Sequence, residues 1–211
     1  MTDTVLLTAS DLSKVFNRRM IFRGISFTVS ARETLLITGR NGSGKSTIVK
    51  MLAGLLTPTV GTVTLALGGR AEGERHAMNF GLVSPYLQMY DEFSAEENIR
   101  FAFSIRGLKP DEDRIAGLLA LVGLGARKQD PVRTYSSGMK QRVKYAFALA
   151  HRPPVLMLDE PMANLDSDGT TMVQGVMADQ QTRGILVVAT NDLGDVERYD
   201  KQVNLNDVPR S

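Results

Sequence analysis

Cysteine and tryptophan are absent from this chain, histidine occurs only twice, and neither sign of charge dominates. Without cysteine there is no disulfide framework, no zinc knuckle and no thiolate nucleophile. The 25 basic and 23 acidic side chains are interspersed, with no run of one sign. That leaves neither a nucleic-acid footprint nor a polybasic membrane anchor. Long apolar runs are missing too: stretches such as residues 185–189 are far too short to span a bilayer. The opening Met1, Thr2, Asp3 and Thr4 lack the basic and apolar regions of a signal peptide. Together these absences lead to the expectation of a soluble intracellular chain, or one that meets a membrane only through a partner. His76, in a polar loop, and His151, at a helix end, are read as structural. No heptad stretch is present, which excludes a long coiled-coil insertion. The ten methionines are read as core filler and interface packing rather than a metal site.

What is present centres on residues 39–47. Gly39, Arg40, Asn41, Gly42, Ser43, Gly44, Lys45, Ser46 and Thr47 satisfy the phosphate-loop pattern G-x-x-x-x-G-K-[ST] at every fixed position. An apolar strand over 34–38 precedes the loop and a helix over 48–56 is expected after it. Glycines let the backbone curl so that several N–H groups face one anion, and the new helix adds its positive end. Lys45 can reach terminal phosphates, and the Ser46 hydroxyl is placed to ligate Mg²⁺.

At 211 residues the chain is long enough for one substantial domain. Residues 4–38 show only short strand patterns, which suggests a small antiparallel sheet beside the main one. Strands are also expected over 62–67 and 79–84, with a polar surface loop over 68–78. From about 90 to 152 the pattern turns helical. Ser94 and Glu97 form a candidate capping box opening a helix through Ile105. A second helix over 111–124 follows, its first turn solvated by Asp111, Glu112 and Asp113. The third begins at Ser137, buries Met139, Val143, Ala146, Phe147 and Ala150, and stops at Pro153 and Pro154. A strand over 155–158, a helix over 166–181 and a strand over 185–189 then resume the alternation. The expected fold is an α/β P-loop NTPase core: a mostly parallel sheet, an N-terminal antiparallel β subdomain and an inserted helical subdomain, all in one domain.

Two further motifs carry chemistry. The strand over 155–158 runs into Asp159 and Glu160, and carboxylates at a strand's carboxyl end sit where α/β sheets bind ligands. Asp159 can hold Mg²⁺ through its water, and Glu160 can polarise a water beside the γ-phosphate. Ser137 and Gly138 open a helix and so form a second anion site, 22 residues ahead of Asp159.

In their order and spacing these motifs resemble the ATP-binding subunits of ABC transporters, over essentially the whole chain. The family signature, usually L-S-G-G-Q, is matched by Tyr135, Ser136, Ser137, Gly138 and Met139, with Ser136 at the signature serine. The loop after the Asp–Glu pair is matched by Ala163, Asn164, Leu165 and Asp166. Phe16 is similar to the family's adenine-stacking aromatic. At two positions the chain departs from the pattern. Pro85 stands where the family has a metal-contacting glutamine, with Gln88 three residues on as a substitute if the loop takes another path. Asn191 stands in place of the switch histidine.

The resemblance implies an ATP-binding and ATP-hydrolysing subunit with ATP and Mg²⁺ as cofactors, on the cytoplasmic face of the cell membrane. It implies a head-to-tail dimer, with itself or with a second ATPase subunit, in which the signature of one protomer completes the other's site. A separate membrane-spanning transporter subunit would dock on the helical subdomain and the loop from Pro85 to Phe93. Residues 94–101 look like the haem-exporter ATPases, while the 135–142 signature is shared with drug-efflux ATPases. The alternative is a nucleotide-gated regulatory module with weak hydrolysis, suggested by Pro85 and Asn191.

Overall fold

Asn17 and Arg18 both carry positive φ (47° and 63°), as a two-residue type I′ hairpin turn requires. The chain therefore runs out along β1 (Val5–Phe16) and straight back along β2 (Arg19–Ser30). Each strand has twelve residues, where the sequence suggested several short ones. The physical reason is irregular register: shifts between Ala9 and Val15, with Asp11 at φ 50°, break the period-two alternation by which a long strand is recognised. The computed structural model describes residues 5–72 and 76–208. Residues 1–4, and with them the reading of Met1 to Thr4, lie outside the described residues, as does the side chain of His76.

After β3 (Thr34–Thr38) comes α1 (Lys45–Leu52), then β4 (Val60–Leu67), the short β5 (Arg70–Ala71) and β6 (Phe80–Val83). Helices α2 (Ala95–Ser104), α3 (Glu112–Leu121) and α4 (Ser137–Leu149) follow. The chain then returns through β7 (Val155–Asp159), α5 (Ser167–Arg183), β8 (Ile185–Thr190) and β9 (Lys201–Asn204). The capping box at Ser94 and Glu97 is formed in both directions. Two helices end earlier than expected. Gly54 and Gly123 take up left-handed φ, and the N–H groups of Leu55 and Leu124 turn back to the Lys50 and Leu119 carbonyls. That closure satisfies the last carbonyls and stops α1 and α3. In α4, Met139 and Phe147 are only partly buried, whereas Tyr145 and Gln141 are buried.

The strands form two sheets, an antiparallel one in the order β2-β1-β4-β5 and a five-stranded one in the order β6-β7-β8-β3-β9. Every pairing in the second is parallel. Alternation along its central strands divides the core. Leu35, Ile37, Val155, Met157, Ile185 and Val187 face α1 and the antiparallel sheet. Leu36, Leu156, Leu158, Leu186 and Val188 face the layer built from α2 to α5. With both faces covered, the strands are apolar throughout. Because they are parallel, the loops after β3, β6, β7 and β8 all leave from one edge.

His151, just beyond α4, is read as structural, and its surroundings give that a testable consequence. Burial, with Arg106 and Arg114 close by, pushes the imidazole down to about 3 against a weaker opposing contact with the Phe80 main chain. The folded protein thus holds His151 neutral, while the unfolded chain takes up a proton near the ordinary value of 6.5. Its contribution to stability is complete above pH 6.5 and declines as pH falls towards 3, because the unfolded state then binds more protons. The slope can reach about 1.4 kcal/mol per pH unit for one proton. Denaturant midpoints measured from pH 7 to pH 4.5 are expected to fall less steeply in His151→Phe than in the unsubstituted chain.

Candidate functional site

The loop between β3 and α1 takes its shape from its glycines. Gly44 caps α1 at φ 107°, and a Cβ there would lie 2.7 Å from Ile21 Cγ2. Gly39, at φ 150°, passes so close to Ser43 that a Cβ would lie 2.6 Å from its Oγ. Only a residue without a side chain fits this backbone. α1 then begins at Lys45, three residues earlier than the sequence suggested. That places its unpaired N–H groups directly on the loop. Lys45 is buried, with Nζ donating to the Gly39 carbonyl at 2.8 Å and lying 3.3 Å from Glu160 Oε1. The loop forms one wall of a cleft of about 540 Å³, lined also by Phe16, Tyr86, Glu160 and Asn191.

Opposite the loop stand the two carboxylates at the end of β7. Asp159 is 1 % exposed; its Oδ2 accepts from the Ser84 hydroxyl at 3.1 Å, while Oδ1 is buried without a hydrogen-bond partner. Burial pushes its carboxyl above the usual carboxylate range, and contacts from Ser46, Ser84 and Lys45 pull it back. A buried carboxylate oxygen with nothing to accept, next to a serine hydroxyl, fits a divalent cation. Among the described residues no group of three or more acidic or histidine side chains could hold a metal. A cation here would therefore take most of its oxygens from nucleotide and water, the usual arrangement for Mg²⁺. Glu160 breaks from the strand at φ 52°, a conformation that costs a non-glycine residue energy and that turns its side chain towards Lys45. Two contacts hold it there: its N–H donates to Ala189 O at 2.8 Å, and the buried Tyr145 hydroxyl donates to Pro161 O at 2.8 Å.

Asn191 follows β8 and reaches across the loop, its Nδ2 lying 3.4 Å from Asn41 Oδ1. Its neighbours are engaged otherwise. Thr190 donates to Asp195 at 2.6 Å, and Asp192 accepts from Gly194 N–H at 2.8 Å. Phe16, at the end of the β1–β2 hairpin, borders the cleft with 43 % of its surface exposed and Lys14 Nζ 4.8 Å from its ring centre. A planar base can stack on such a ring.

The structure does not bring Gln88 to Ser46 and Asp159. Ser84, Pro85, Tyr86 and Leu87 form a tight turn, closed by Leu87 N–H donating to Ser84 O at 3.1 Å, with proline at its second position. The turn leaves Pro85 and Tyr86 on the cleft and carries Gln88 into a separate groove of about 250 Å³ with Leu87, Lys140 and Lys144. The signature residues do not line the chain's own cleft either. Ser136 caps α4, accepting from Met139 N–H at 3.2 Å; Ser137 is exposed, and Gly138 packs against the Asn164 carbonyl. Sequence reasoning missed Ser84, Tyr86 and Tyr145. A Ser-Pro pair after a predicted strand was the available signal for the turn, but nothing in the sequence pointed its hydroxyl at Asp159.

A family model described as "ABC transporter" matches residues 22–163. The chain is 32% identical over 191 residues to the linearmycin resistance ATP-binding protein LnrL of Bacillus subtilis, covering 88% of this chain and 61% of that protein. It is 33% identical to the lipoprotein-releasing system ATP-binding protein LolD of Pseudomonas fluorescens, covering 98% and 97%. It is 30% identical to the cytochrome c biogenesis ATP-binding export protein CcmA of Nitrosomonas europaea, covering 88% and 87%. The chain thus spans about three fifths of LnrL but nearly the whole of LolD. A solved structure of an ATP-binding subunit of an ABC transporter superposes with a TM-score of 0.84 at 30% identity, over 94% of this chain and 85% of that one.

Proposed function

The chain belongs to the ABC transporter family, and from that premise we propose that it binds and hydrolyses ATP to drive a transporter whose membrane-spanning part is a separate chain. One observation carries the reading: Lys45, Glu160 and Asn191 converge on a single cleft at the carboxyl edge of the sheet, with Asp159 buried beside Ser46 and Lys45 of its lining. Lys45 is assigned to the β- and γ-phosphates and the loop N–H groups to the phosphate oxygens. Ser46 and Asp159 would hold Mg²⁺, which when bound neutralises phosphate charge. Glu160 is assigned as the group that orients and deprotonates the attacking water, and Phe16 as the platform for adenine. ATP turnover by the purified chain, with and without its membrane partner, tests the reading.

The position of Ser136, Ser137, Gly138 and Met139 away from the chain's own cleft supports a head-to-tail pair, each signature completing the other protomer's site. A homodimer and a pairing with a second ATPase subunit both use this geometry. The helical stretch from about 90 to 152 is proposed as a subdomain. The groove beside it, lined by Leu87, Met89 and Val132, supports docking of the membrane subunit at the cytoplasmic face. No helix among the described residues is long and apolar enough to cross a membrane.

For the cargo, residues 94–101 and the similarity to CcmA support a haem-exporter-like role, while comparable similarity to LnrL and LolD supports other cargoes equally. Co-purification of the tagged chain with its multi-span partner decides between them. A second reading, a nucleotide-gated regulatory module, is favoured by Pro85 and Asn191 and opposed by the presence of Glu160.

Asn191 provides the sharpest kinetic test. Its amide is spent on a long contact to Asn41 and never carries positive charge. A misplaced donor beside a developing charge costs roughly 2.7–4 kcal/mol in an oxyanion-type site. Asn191→His is expected to raise kcat by about tenfold or more, with little change in ATP affinity, since the recovered interaction strengthens in the transition state. Equal or lower turnover in a folded variant would make Asn191 a turn residue only.

A further inference from the structure

We propose that Ser84 is the positioning residue for the metal-binding carboxylate, doing in this chain part of what a glutamine at position 85 would do; the role rests on the Mg-ATP reading of the cleft. The geometry assigns the direction of its proton. The Tyr86 N–H points at Ser84 Oγ at 3.4 Å, and an N–H can only donate, so the hydroxyl accepts there. Its own proton is then free for Asp159 Oδ2, 3.1 Å away, and an ionised carboxylate can only accept. Ser84 is 4 % exposed, so water does not compete for that bond. One carboxylate oxygen is thereby engaged, and the plane of the group is set so that the partnerless Oδ1 is the oxygen left for a cation and its water.

The rest of the turn holds Ser84 in place. Its carbonyl accepts from Leu87 N–H at 3.1 Å and from Lys144 Nζ of α4 at 3.2 Å. Pro85 has no side-chain oxygen or amide, so position 85 offers no side-chain ligand to a metal. Lys144 and Pro85 also line the groove beside α4. The groove and the metal carboxylate are therefore two hydrogen bonds apart, through a single residue.

The test is equilibrium binding of a non-hydrolysable ATP analogue to the full chain, by calorimetry, in Mg²⁺ and in EDTA. The unsubstituted chain is expected to bind more tightly in Mg²⁺. In Ser84→Ala that gain should shrink about tenfold, the equivalent of ~1.4 kcal/mol, while affinity in EDTA changes less than about twofold. Ser84→Thr, which keeps the hydroxyl, should recover most of the gain. Should Ser84→Ala lose its fold, Ser84→Cys, similar in shape with a weak S–H donor, carries the same comparison. An undiminished Mg²⁺ gain in the variant, or equal loss with and without Mg²⁺, overturns the positioning role. No Mg²⁺ gain in the unsubstituted chain overturns the reading of the cleft itself, and this inference with it.

Discussion

Lys45→Ala is expected to weaken ATP binding by roughly two orders of magnitude while the chain remains folded. Nζ is the cation buried inside the loop, and it is held by the Gly39 carbonyl and Glu160. Two charge-assisted hydrogen bonds to phosphate, each worth about 1.5–3 kcal/mol, account for a loss of that size. The folded state loses less. Glu160 is about one third exposed, so it returns to water when its partner is removed. The Gly39 carbonyl forfeits one charge-assisted contact, a cost of about 1.5–3 kcal/mol. Fluorescence or calorimetric titration with ATP, alongside a thermal midpoint, measures both quantities. Unchanged affinity would remove the phosphate loop from the nucleotide site.

For Glu160→Gln the expected outcome is the opposite pairing: binding retained and turnover lost. Glutamine keeps the size and the hydrogen-bonding reach of the side chain but cannot take a proton, which typically costs 10²–10⁴-fold in rate. Affinity should hold or improve, for a reason visible in the cleft. Glu160 lies 3.3 Å from the Lys45 ammonium, so the carboxylate competes with an incoming phosphate for that charge. Neutralising it removes both the competition and the repulsion between glutamate and triphosphate. If the head-to-tail pairing is right, the variant accumulates as an ATP-dependent dimer detectable by light scattering in Mg-ATP. Turnover near the level of the unsubstituted chain would require another group to act as base, and Asp159, buried at 1 % exposure, is poorly placed for it.

Identity of the phosphate loop, and of Asp159 and Glu160, was legible because each depends on local backbone chemistry. Glycines are needed wherever the chain must curl around an anion, and an apolar run ending in acids marks a strand's carboxyl end. The parallel sheet was legible too, since strands buried on both faces have continuous apolar sequences. The hairpin carrying Phe16 was seen only in fragments, because bulges interrupt its alternation. β9 was missed altogether: a four-residue edge strand, only partly buried, has no periodicity to detect.

What the sequence determined by itself, then, is which residues bear the chemistry and in what order they occur. Only the tertiary structure decided which of them meet. Gln88 could stand in for the absent glutamine only if its loop took another path, and Asn191 stood at the switch position itself; the turn at Pro85 carries the first into a separate groove, while the end of β8 delivers the second to the loop. Ser84 gave no signal in sequence because its role depends on Asp159, 75 residues away, lying on the neighbouring parallel strand. The Lys45–Glu160 pair likewise exists only because β7 and β3 flank β8 in one sheet. Local propensity acts over a few residues, whereas strand order in a parallel sheet brings together segments more than a hundred apart. The chemistry was written locally, and its geometry was settled by the order of the strands.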